Sequence, residues 1–267
     1  GEAPEILFWV GCAGSFDEID PAPITSSVVW NTPRNVTGEV IIEAGGTLTI
    51  SGAQTVIQFA DSEYNQRRTR IVVKPGGRLE VSGGAKLQGL EQIGEEGHTM
   101  HLPGHVVSPQ VDPRSAWDGI YVEPVSGSGH SAAEIDLSDA HILHARIGIH
   151  SPDGSAFITA NGTTFKNNRY DVILGSRKSA PINNGSLFSQ CDFVTDEKLR
   201  DAVWELVHDT PGSHQHYQYH FKEALNPYPE AHVKLSHVRD VEFAQSRFWH
   251  SVHSGVNDTP IRQGEGI

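Results

Sequence analysis

The chain has 267 residues and a formal net charge of −13, set by 33 acidic and 20 basic side chains. An acidic chain without a basic block is a poor candidate for binding nucleic acid or an anionic membrane, and no apolar stretch reaches the length of a membrane span. Protonation of all fifteen histidines would turn that charge into +2, so we expect the surface charge to depend on mild acid. The 27 glycines and 15 prolines, beside one methionine, indicate a turn-rich β-protein.

Residues 1–29 are predicted to form an N-terminal segment or linker ahead of the folded domain, which is expected to occupy residues 30–267. The apolar run Ile6–Val10 in this segment is too short for an intact signal peptide. Cys12 in the same segment and Cys191 far downstream are the two cysteines of the chain, too few for a disulfide framework.

Two nearly identical segments follow this linker. The first, "IIEAGGTLTISG", begins at Ile41, and the second, "VVKPGGRLEVSG", begins 31 residues later at Val72. In each copy a Gly-Gly turn leads into a strand whose apolar residues alternate and therefore share one face. One such unit cannot bury that face alone, whereas stacked units can. The repeat therefore favours a β-solenoid over an antiparallel sandwich.

A looser repeat follows in the C-terminal half, built on a small residue, any residue and then Phe. Phe165, Phe193 and Phe248 lie 28 and 55 residues apart, which is close to one coil and two coils. They are predicted to stack along the core, with Ile142 in the same place one coil earlier. Cys191 should then be a small buried side chain and not a reactive thiol.

Two stretches interrupt the repeat, residues 90–116 and residues 194–232, and both are predicted to leave the solenoid as long insertions. In the second stretch, four apolar residues follow helical spacing: Leu199, Val203, Leu206 and Val207. A short amphipathic helix is predicted there. The final "IRQGEGI" resembles the opening of another coil whose strand is missing, so we expect a solenoid truncated at its C-terminal end.

The chain resembles the right-handed parallel β-helix regions of large secreted bacterial surface proteins, many of them exported by the type IX pathway. The resemblance rests on an ordered series of segments: "IIEAGGTLTISG", "VVKPGGRLEVSG", "WDGIYV", "LSDAHILHARIGI", "TTFKNN" and "RQGEGI". It covers residues 30–267 and implies an extracellular module with a pectate-lyase-like solenoid, joined to neighbouring domains of a longer parent protein. It supplies no catalytic residues.

A second resemblance lies in residues 6–18, where "ILFWVGCAGSFDE" is similar to a segment of the CCG-domain iron–sulfur oxidoreductases. Those proteins need further cysteines, including a Cys-Cys-Gly motif, and this chain has only Cys191 besides Cys12. One thiolate cannot hold a cluster that takes four ligands. The likeness is either a coincidence or a foreign N-terminal piece, and no redox function is expected from it.

Carboxylates are the first candidate catalytic groups, because polysaccharide-active enzymes of this fold use carboxylates that flank a sugar bond, or Ca²⁺ with a basic residue. Asp118 and Asp153 are the candidate catalytic residues. Three further carboxylates could join them in binding Ca²⁺: Asp136, Asp139 and Asp171. The alternative is that all five are solvated turn residues. Trp117 and Asp118 are the candidate ligand-binding pair, in which Trp117 is either a stacking platform for sugar or a core residue.

Two histidine clusters are candidate metal sites. The first, in "HTMHLPGH", contains His98, His101 and His105, and the second, in "HQHYQYH", contains His214, His216 and His220. In an extended segment the second three share one face and could bind Zn²⁺, with a fourth position open for water. Neither cluster matches the His-Glu-x-x-His motif, and solvated histidine-rich loops are the alternative.

These patterns favour a non-catalytic extracellular module that presents its loops for adhesion or glycan contact, with no resident cofactor beyond Ca²⁺ or Zn²⁺. One alternative is a polysaccharide lyase or glycoside hydrolase whose cleft lies near Trp117, Asp118 and Asp153. Another is a purely structural spacer in a stalk. Carboxylates that converge on one groove would favour the enzyme, and scattered ones would favour the module or the spacer.

Overall fold

The computed structural model describes residues 18–19, 21–59, 68–89, 100–102, 105–107, 117–125, 131–175, 181–196, 200–208, 215–223 and 231–250. Across these ranges every regular element is a β-strand, and none is an α-helix. The prediction of an all-β protein is confirmed.

The strands in chain order are β1 Glu18–Ile19, β2 Ser27–Trp30, β3 Arg34–Thr37, β4 Glu39–Ile42, β5 Thr47–Ser51, β6 Val56–Phe59, β7 Arg70–Val73, β8 Arg78–Ser82, β9 Lys86–Gly89, β10 Met100–Leu102, β11 His105–Val107, β12 Trp117–Val122, β13 Glu134–Ser138, β14 His141–Leu143, β15 Ala145–Ser151, β16 Phe157–Asn161, β17 Thr164–Lys166, β18 Tyr170–Gly175, β19 Ile182–Asn183, β20 Leu187–Ser189, β21 Asp192–Thr195, β22 Arg200–His208, β23 Gln215–Glu223, β24 Ala231–Ser236, β25 Val238–Arg239, β26 Glu242–Ala244 and β27 Arg247–His250.

Three parallel sheets form the wall of the molecule. Sheet A has the order β1-β3-β6-β9-β14-β17-β21-β27, sheet B has the order β24-β18-β15-β12-β7-β4, and sheet C has the order β2-β5-β8-β13-β16-β20-β26. Each coil supplies a strand to sheet B, then to sheet C and then to sheet A, as β4, β5 and β6 do. This winding is a parallel β-helix, as the repeat predicted.

The doubled segment occupies equivalent positions on two successive coils. Thr47 pairs with Arg78 and Ser51 pairs with Ser82, so β5 and β8 lie in register across their whole length. The alternating apolar residues of both strands face inward and are fully buried: Leu48, Ile50, Leu79 and Val81. Burial of a Leu or Ile side chain stabilises a fold by about 1.5–3 kcal/mol, so each coil gains its stability from the coil beside it.

Aromatic rings stack inside the solenoid along one row of sheet A. Ile142 pairs with Phe165, which pairs with Phe193 and through it with Phe248. The ring centroids of Phe165 and Phe193 are 5.0 Å apart, those of Phe193 and Phe248 are 4.6 Å apart, and both pairs are nearly parallel. The predicted row of Phe residues is confirmed. Phe248, in the last described strand, is 40% exposed.

From β5 onward, every corner between sheets C and A contains a residue in the left-handed backbone region. The φ values at Gly52, Asp139, Gly162, Gln190 and Gln245 lie between 51° and 104°. The amide groups of these residues continue the ladder from coil to coil, as in the 2.9 Å hydrogen bond that the Asp139 N–H donates to the Asn161 carbonyl. Left-handed conformations cost little for glycine and are tolerated by aspartate, which explains the residue types at Gly52, Asp139 and Gly162.

Cys191 lies inside the solenoid beside the Phe row. Its side chain is fully buried, and its Sγ donates weak hydrogen bonds to the carbonyl oxygens of Ala160 and Ser189. Burial raises the pKa of the thiol. The expectation of a buried, unreactive cysteine agrees with this environment.

The predicted helix in the second insertion is wrong. Residues 200–208 form β22, which pairs antiparallel with β23 through nine residue pairs, including Val203 with His220 and Val207 with His216. The segment is rich in β-branched and aromatic residues, which favour an extended pair over an isolated short helix. Leu199 lies outside the described residues.

The first insertion, between β9 and β12, also contains an antiparallel hairpin, formed by β10 and β11. Backbone contacts place β11 beside β23, so the two insertions meet. Both leave the solenoid after a strand of sheet A and return to it at sheet B.

The sequence predicted that the solenoid starts at residue 30, and strand pairing begins upstream of that residue. β1 pairs with β3 and β2 pairs with β5, and an isolated bridge joins Ile24 to Ile42. Residues 1–17, which carry the iron–sulfur resemblance and Cys12, lie outside the described residues. None of the described segments is a helix long and apolar enough to cross a membrane.

The first Gly-Gly turn separates two effects that glycine can have. At Gly45, φ is +77° and an added Cβ would meet no atom within 4 Å, whereas at Gly46 an added Cβ would lie 2.1 Å from the Ile24 carbonyl oxygen. We expect Gly45→Ala to lower the free energy of unfolding by about 1–2 kcal/mol through backbone strain. Gly46→Ala should lower it by about 2–4 kcal/mol, because the Ile24 carbonyl must move away from its 2.9 Å hydrogen bond with the Glu43 N–H. Urea denaturation of both variants measures the difference, and equal losses would contradict this packing.

The burial of Cys191 predicts its chemical reactivity. In a Cys12→Ser variant, whose single thiol is that of Cys191, we expect a thiol-alkylating reagent to leave the native protein unlabelled and to label it fully in denaturant. Mass spectrometry measures the extent of labelling. Rapid labelling of the native protein would mean that Cys191 does not face the core.

Candidate functional site

The outer face of sheet B brings one side chain from each coil into a single row. Cross-strand register places six residues in this row, in order along the solenoid: Ile41, Val72, Tyr121, His150, Ile173 and Lys234. We call it the outer row. Neighbouring strands lie about 4.8 Å apart, so adjacent members of the row contact each other across the strands.

Arg70 binds both an acid and an aromatic ring on this face. Its Nε donates a 2.7 Å hydrogen bond to an Oε1 of Glu39 on the neighbouring strand. Its guanidinium carbon lies 4.4 Å from the centre of the Tyr121 ring, within the range of a cation–π contact. These two contacts fix the guanidinium against the row and orient one face of the Tyr121 ring.

Tyr121 and His150 form the centre of the outer row. Their ring centroids are 5.6 Å apart and the rings meet edge to face. Burial lowers the pKa of His150, and the positive charge of Arg70 lowers it further. The imidazole is therefore neutral at neutral pH, and its ring can accept a hydrogen bond or a proton.

Charged residues flank this centre on both sides. The Arg146 Nε lies 3.8 Å from an Oδ1 of Asp118, and the Lys234 Nζ lies 5.9 Å from the centre of the Tyr170 ring. Aromatic rings next to charged donors and acceptors suit a ligand that has both apolar and hydroxyl groups. The residues Arg70, Asp118, Tyr121, Arg146, His150, Tyr170 and Lys234 together are called the sheet B face below.

Trp117, one half of the candidate ligand-binding pair, lies inside the solenoid. It is fully buried, its ring stacks on Phe59 with centroids 4.2 Å apart, and its Nε1 donates a 3.0 Å hydrogen bond to the Leu143 carbonyl. Its ring is therefore part of the core that supports the sheet B face. Asp118, the other half of the pair, lies on that face.

The two candidate catalytic carboxylates lie near opposite ends of the strands of sheet B. Asp118 is next to Arg146, near the start of β15, and Asp153 lies just beyond the end of the same strand. The five steps along the strand from Arg146 to Ser151 span roughly 16 Å. Paired carboxylates of glycosidases are separated by about 5–10 Å, so these two do not form such a pair.

Asp153 is held by a turn. One of its oxygens accepts a hydrogen bond from the Val125 N–H (2.9 Å), and the other accepts bonds from the Ser155 N–H (3.0 Å) and the Ser155 hydroxyl (2.7 Å). A carboxylate with three such donors stabilises the corner between sheets B and C in two successive coils.

The other three candidate carboxylates lie in three further places. Asp136 is on the outer face of sheet C beside Arg78, Asp139 is at a corner between sheets C and A, and Asp171 is buried inside the solenoid. The five carboxylates are thus scattered over different faces and do not converge on one groove.

The histidine clusters lie in the insertions. His101 is in β10, His105 is in β11, and His216 and His220 are in β23, while His98 and His214 lie outside the described residues. Within the part of the chain that the structure describes, no group of three or more His, Cys, Asp or Glu residues is placed to hold a metal ion.

Sequence reasoning missed Arg70, Tyr121 and His150. A signal was present in the short repeats Gly-Ile-Tyr, ending at Tyr121, and Gly-Ile-His, ending at His150. A bulge after Gly119 shifts the register between these strands by one residue, so Gly119 pairs with Ile147 and not with the Gly148 that its segment would match.

Comparisons with protein-family models, with curated proteins and with solved structures give no match for this chain. The fold itself therefore defines the class: this is a parallel β-helix protein with a mixed aromatic and charged face on sheet B.

The surroundings of His150 predict its titration. We expect NMR to give His150 a pKa below the ordinary value of about 6.5, and the Arg70→Gln variant to raise that pKa part of the way back, because burial remains. His141 on sheet A is a matched control: burial and Lys86 lower its pKa, so Arg70→Gln should leave it unchanged. A His150 pKa that Arg70→Gln does not move would contradict the geometry of this face.

Proposed function

We propose that this chain is a non-catalytic β-helix module of a secreted or surface-attached bacterial protein, and that it contacts glycans through the sheet B face. The proposed parent proteins are the large secreted surface proteins that the repeat series resembles, with a pectate-lyase-like solenoid and, in many cases, export by the type IX pathway. Neighbouring domains of such a parent would place the module outside the cell.

The observation that carries the proposal is the contact between Arg70, Tyr121 and His150. An aromatic ring packs against the C–H groups of a sugar, while neighbouring charged groups bond its hydroxyls or carboxylates. Since Arg70 and His150 hold the Tyr121 ring in place, little side-chain entropy would be lost on binding.

The distribution of the carboxylates supports a binding module over a glycoside hydrolase. Asp118 and Asp153 are separated by about the length of a strand of sheet B, and Asp153 already accepts the hydrogen bonds of its turn. Neither Ca²⁺ nor Zn²⁺ is needed for the contacts that the sheet B face offers, so the proposal does not include a metal.

A polysaccharide lyase is the second candidate, and His150 favours it. In β-elimination a base removes the proton next to the carboxylate of a uronic acid, the neighbouring glycosidic C–O bond breaks, and the leaving oxygen takes up a proton from water, which leaves an unsaturated sugar at the other new end. A neutral imidazole can take that proton, and the lowered pKa of His150 keeps it neutral near pH 7. Arg70 or Arg146 would then bind the substrate carboxylate.

Retention of the purified chain on immobilised polysaccharides tests the proposal. The panel includes polygalacturonate and alginate as acidic polymers, and xylan and a β-glucan as neutral ones. We expect retention on at least one polymer, and we expect Tyr121→Ala to weaken it about tenfold, which corresponds to about 1.4 kcal/mol. The matched control is Phe157→Ala, which removes a 43% exposed ring from the outer face of sheet C and should not change retention.

The same incubations distinguish the alternatives. Release of unsaturated sugars that Arg146→Gln weakens and His150→Gln abolishes would make this protein a lyase. Failure to bind any polymer would leave a structural spacer. Equal loss of retention in the Tyr121 and Phe157 variants would show that the ligand does not use the sheet B face.

A further inference from the structure

A column of polar residues runs inside the solenoid at one bulge of sheet B. Ile147 pairs with Tyr170 and Ile149 pairs with Val172, so Gly148 and Asp171 occupy equivalent positions on β15 and β18. In the same way, the pairing of Tyr170 with Ala231 and of Val172 with Val233 places His232 opposite Asp171. Three successive coils thus contribute Gly, Asp and His to one position.

Asp171 is 1% exposed and is bonded through both carboxylate oxygens. Asn168 donates a 2.7 Å hydrogen bond from its Nδ2 to Oδ1, and the Nδ1 of His232 lies 2.6 Å from Oδ2. The His232 side chain is itself largely buried, and its ring centre lies 6.1 Å from that of Phe248. Burial of an ionised carboxylate is costly, and these two partners only partly offset that cost.

Asn168 connects this pair to an earlier coil. Its Oδ1 accepts a 2.7 Å hydrogen bond from the Ala145 N–H, and its Nδ2 also donates to the Ile142 carbonyl at 3.1 Å. The amide is therefore fixed by the backbone between β14 and β15. A continuous polar chain links that backbone through Asn168 and Asp171 to β24, the strand on which the chain rejoins the solenoid after the second insertion.

Among the described residues, Asn168 and His232 are the side chains that bond the Asp171 carboxylate. Gly148 leaves room for the Asp171 backbone, since an added Cβ there would lie 2.5 Å from the Asp171 carbonyl oxygen and 3.4 Å from the Phe165 ring. From β24, His232 is the titratable group that faces the carboxylate, whereas Lys234 lies over the Tyr170 ring on the outer face. Burial raises the pKa of Asp171, while His232 and Asn168 act in the opposite direction.

We propose that Asp171 and His232 form an acid-favoured lock that holds the coil of β24–β27 on the rest of the solenoid. The pair shares one proton, and in that state it is neutral overall, which suits its buried position. Loss of the proton leaves a net negative charge in the core, and the last described coil then docks less firmly.

The direction of the pH dependence follows from linkage. In the unfolded chain the proton that the pair shares is carried by the histidine, whose ordinary pKa is about 6.5. Burial raises the pKa of Asp171 and disfavours the anionic pair, so the folded protein holds this proton to higher pH. The stability that the proton adds is therefore present below about pH 6.5 and is lost as pH rises through the folded value of the pair. The attachment of β24–β27 should therefore be stronger in mild acid than in mild alkali. Carboxylates stabilised by ion pairs on the surface give the opposite dependence.

Hydrogen–deuterium exchange of the full chain tests the lock. The protection of peptides from residues 231–250 is measured at about pH 5 and about pH 8, after correction for the intrinsic exchange rate. We expect wild-type protection to fall severalfold between the two pH values, because the buried pair is anionic at the higher one. Asp171→Asn removes the buried carboxylate, so its protection should not fall at pH 8, where it should equal or exceed that of wild type.

Two further variants keep the test decisive. His237→Gln replaces an exposed histidine of the same coil and should retain the wild-type pH dependence. His232→Gln removes the partner of the buried carboxylate and should lower protection at both pH values, and it serves as the second variant if Asp171→Asn does not fold. The proposal is overturned if wild type shows no loss of protection at pH 8, if Asp171→Asn retains the wild-type pH dependence, or if His232→Gln leaves protection unchanged.

Discussion

Parallel stacking of the coils in register is the constraint on which the rest of this structure depends. Each residue lies on the equivalent residue of the next coil at the strand spacing of about 4.8 Å, and the Phe rings at 4.6 and 5.0 Å repeat that spacing inside the core. The same rule places left-handed residues at the corners between sheets C and A from β5 onward, and it joins Tyr121 to His150 on the outer face. One backbone geometry thus sets the core, the corners and the candidate site.

The sequence predicted the interior much better than the exterior. An inward position accepts a narrow range of side chains, so Phe165, Phe193 and Phe248 recur at coil spacing and their row could be found by comparison of segments. Outward positions are less restricted: the outer row changes from Tyr to His to Ile, and the bulge after Gly119 shifts its spacing. The helix prediction failed because Leu199, Val203 and Val207 lie four residues apart, which satisfies both a helical period and the alternation of a strand.

The three outer faces of the solenoid are not equivalent. On sheet C, Arg78 forms ion pairs with Glu80, Glu134 and Asp136, so the charges of that face largely satisfy one another. On sheet B, Arg70 is directed onto the Tyr121 ring, and His150 lies next to it. Both insertions return to the solenoid at sheet B, which makes this face the one whose surroundings vary most from coil to coil. The buried Asp171–His232 pair lies on β18 and β24, so it belongs to the same sheet as the residues of the sheet B face.

A disulfide cross-link tests the central claim, that register brings Tyr121 and His150 together on the outer face. In the Cys12→Ser background, the Tyr121→Cys and His150→Cys pair should oxidise readily, because parallel neighbours in register place their Cα atoms within the 4.4–6.8 Å that a disulfide requires. The control pair, Tyr121→Cys with Ile149→Cys, directs one thiol outward and the other into the core and should stay reduced. Cross-linking of the control pair, with none between positions 121 and 150, would contradict the register and with it the candidate site.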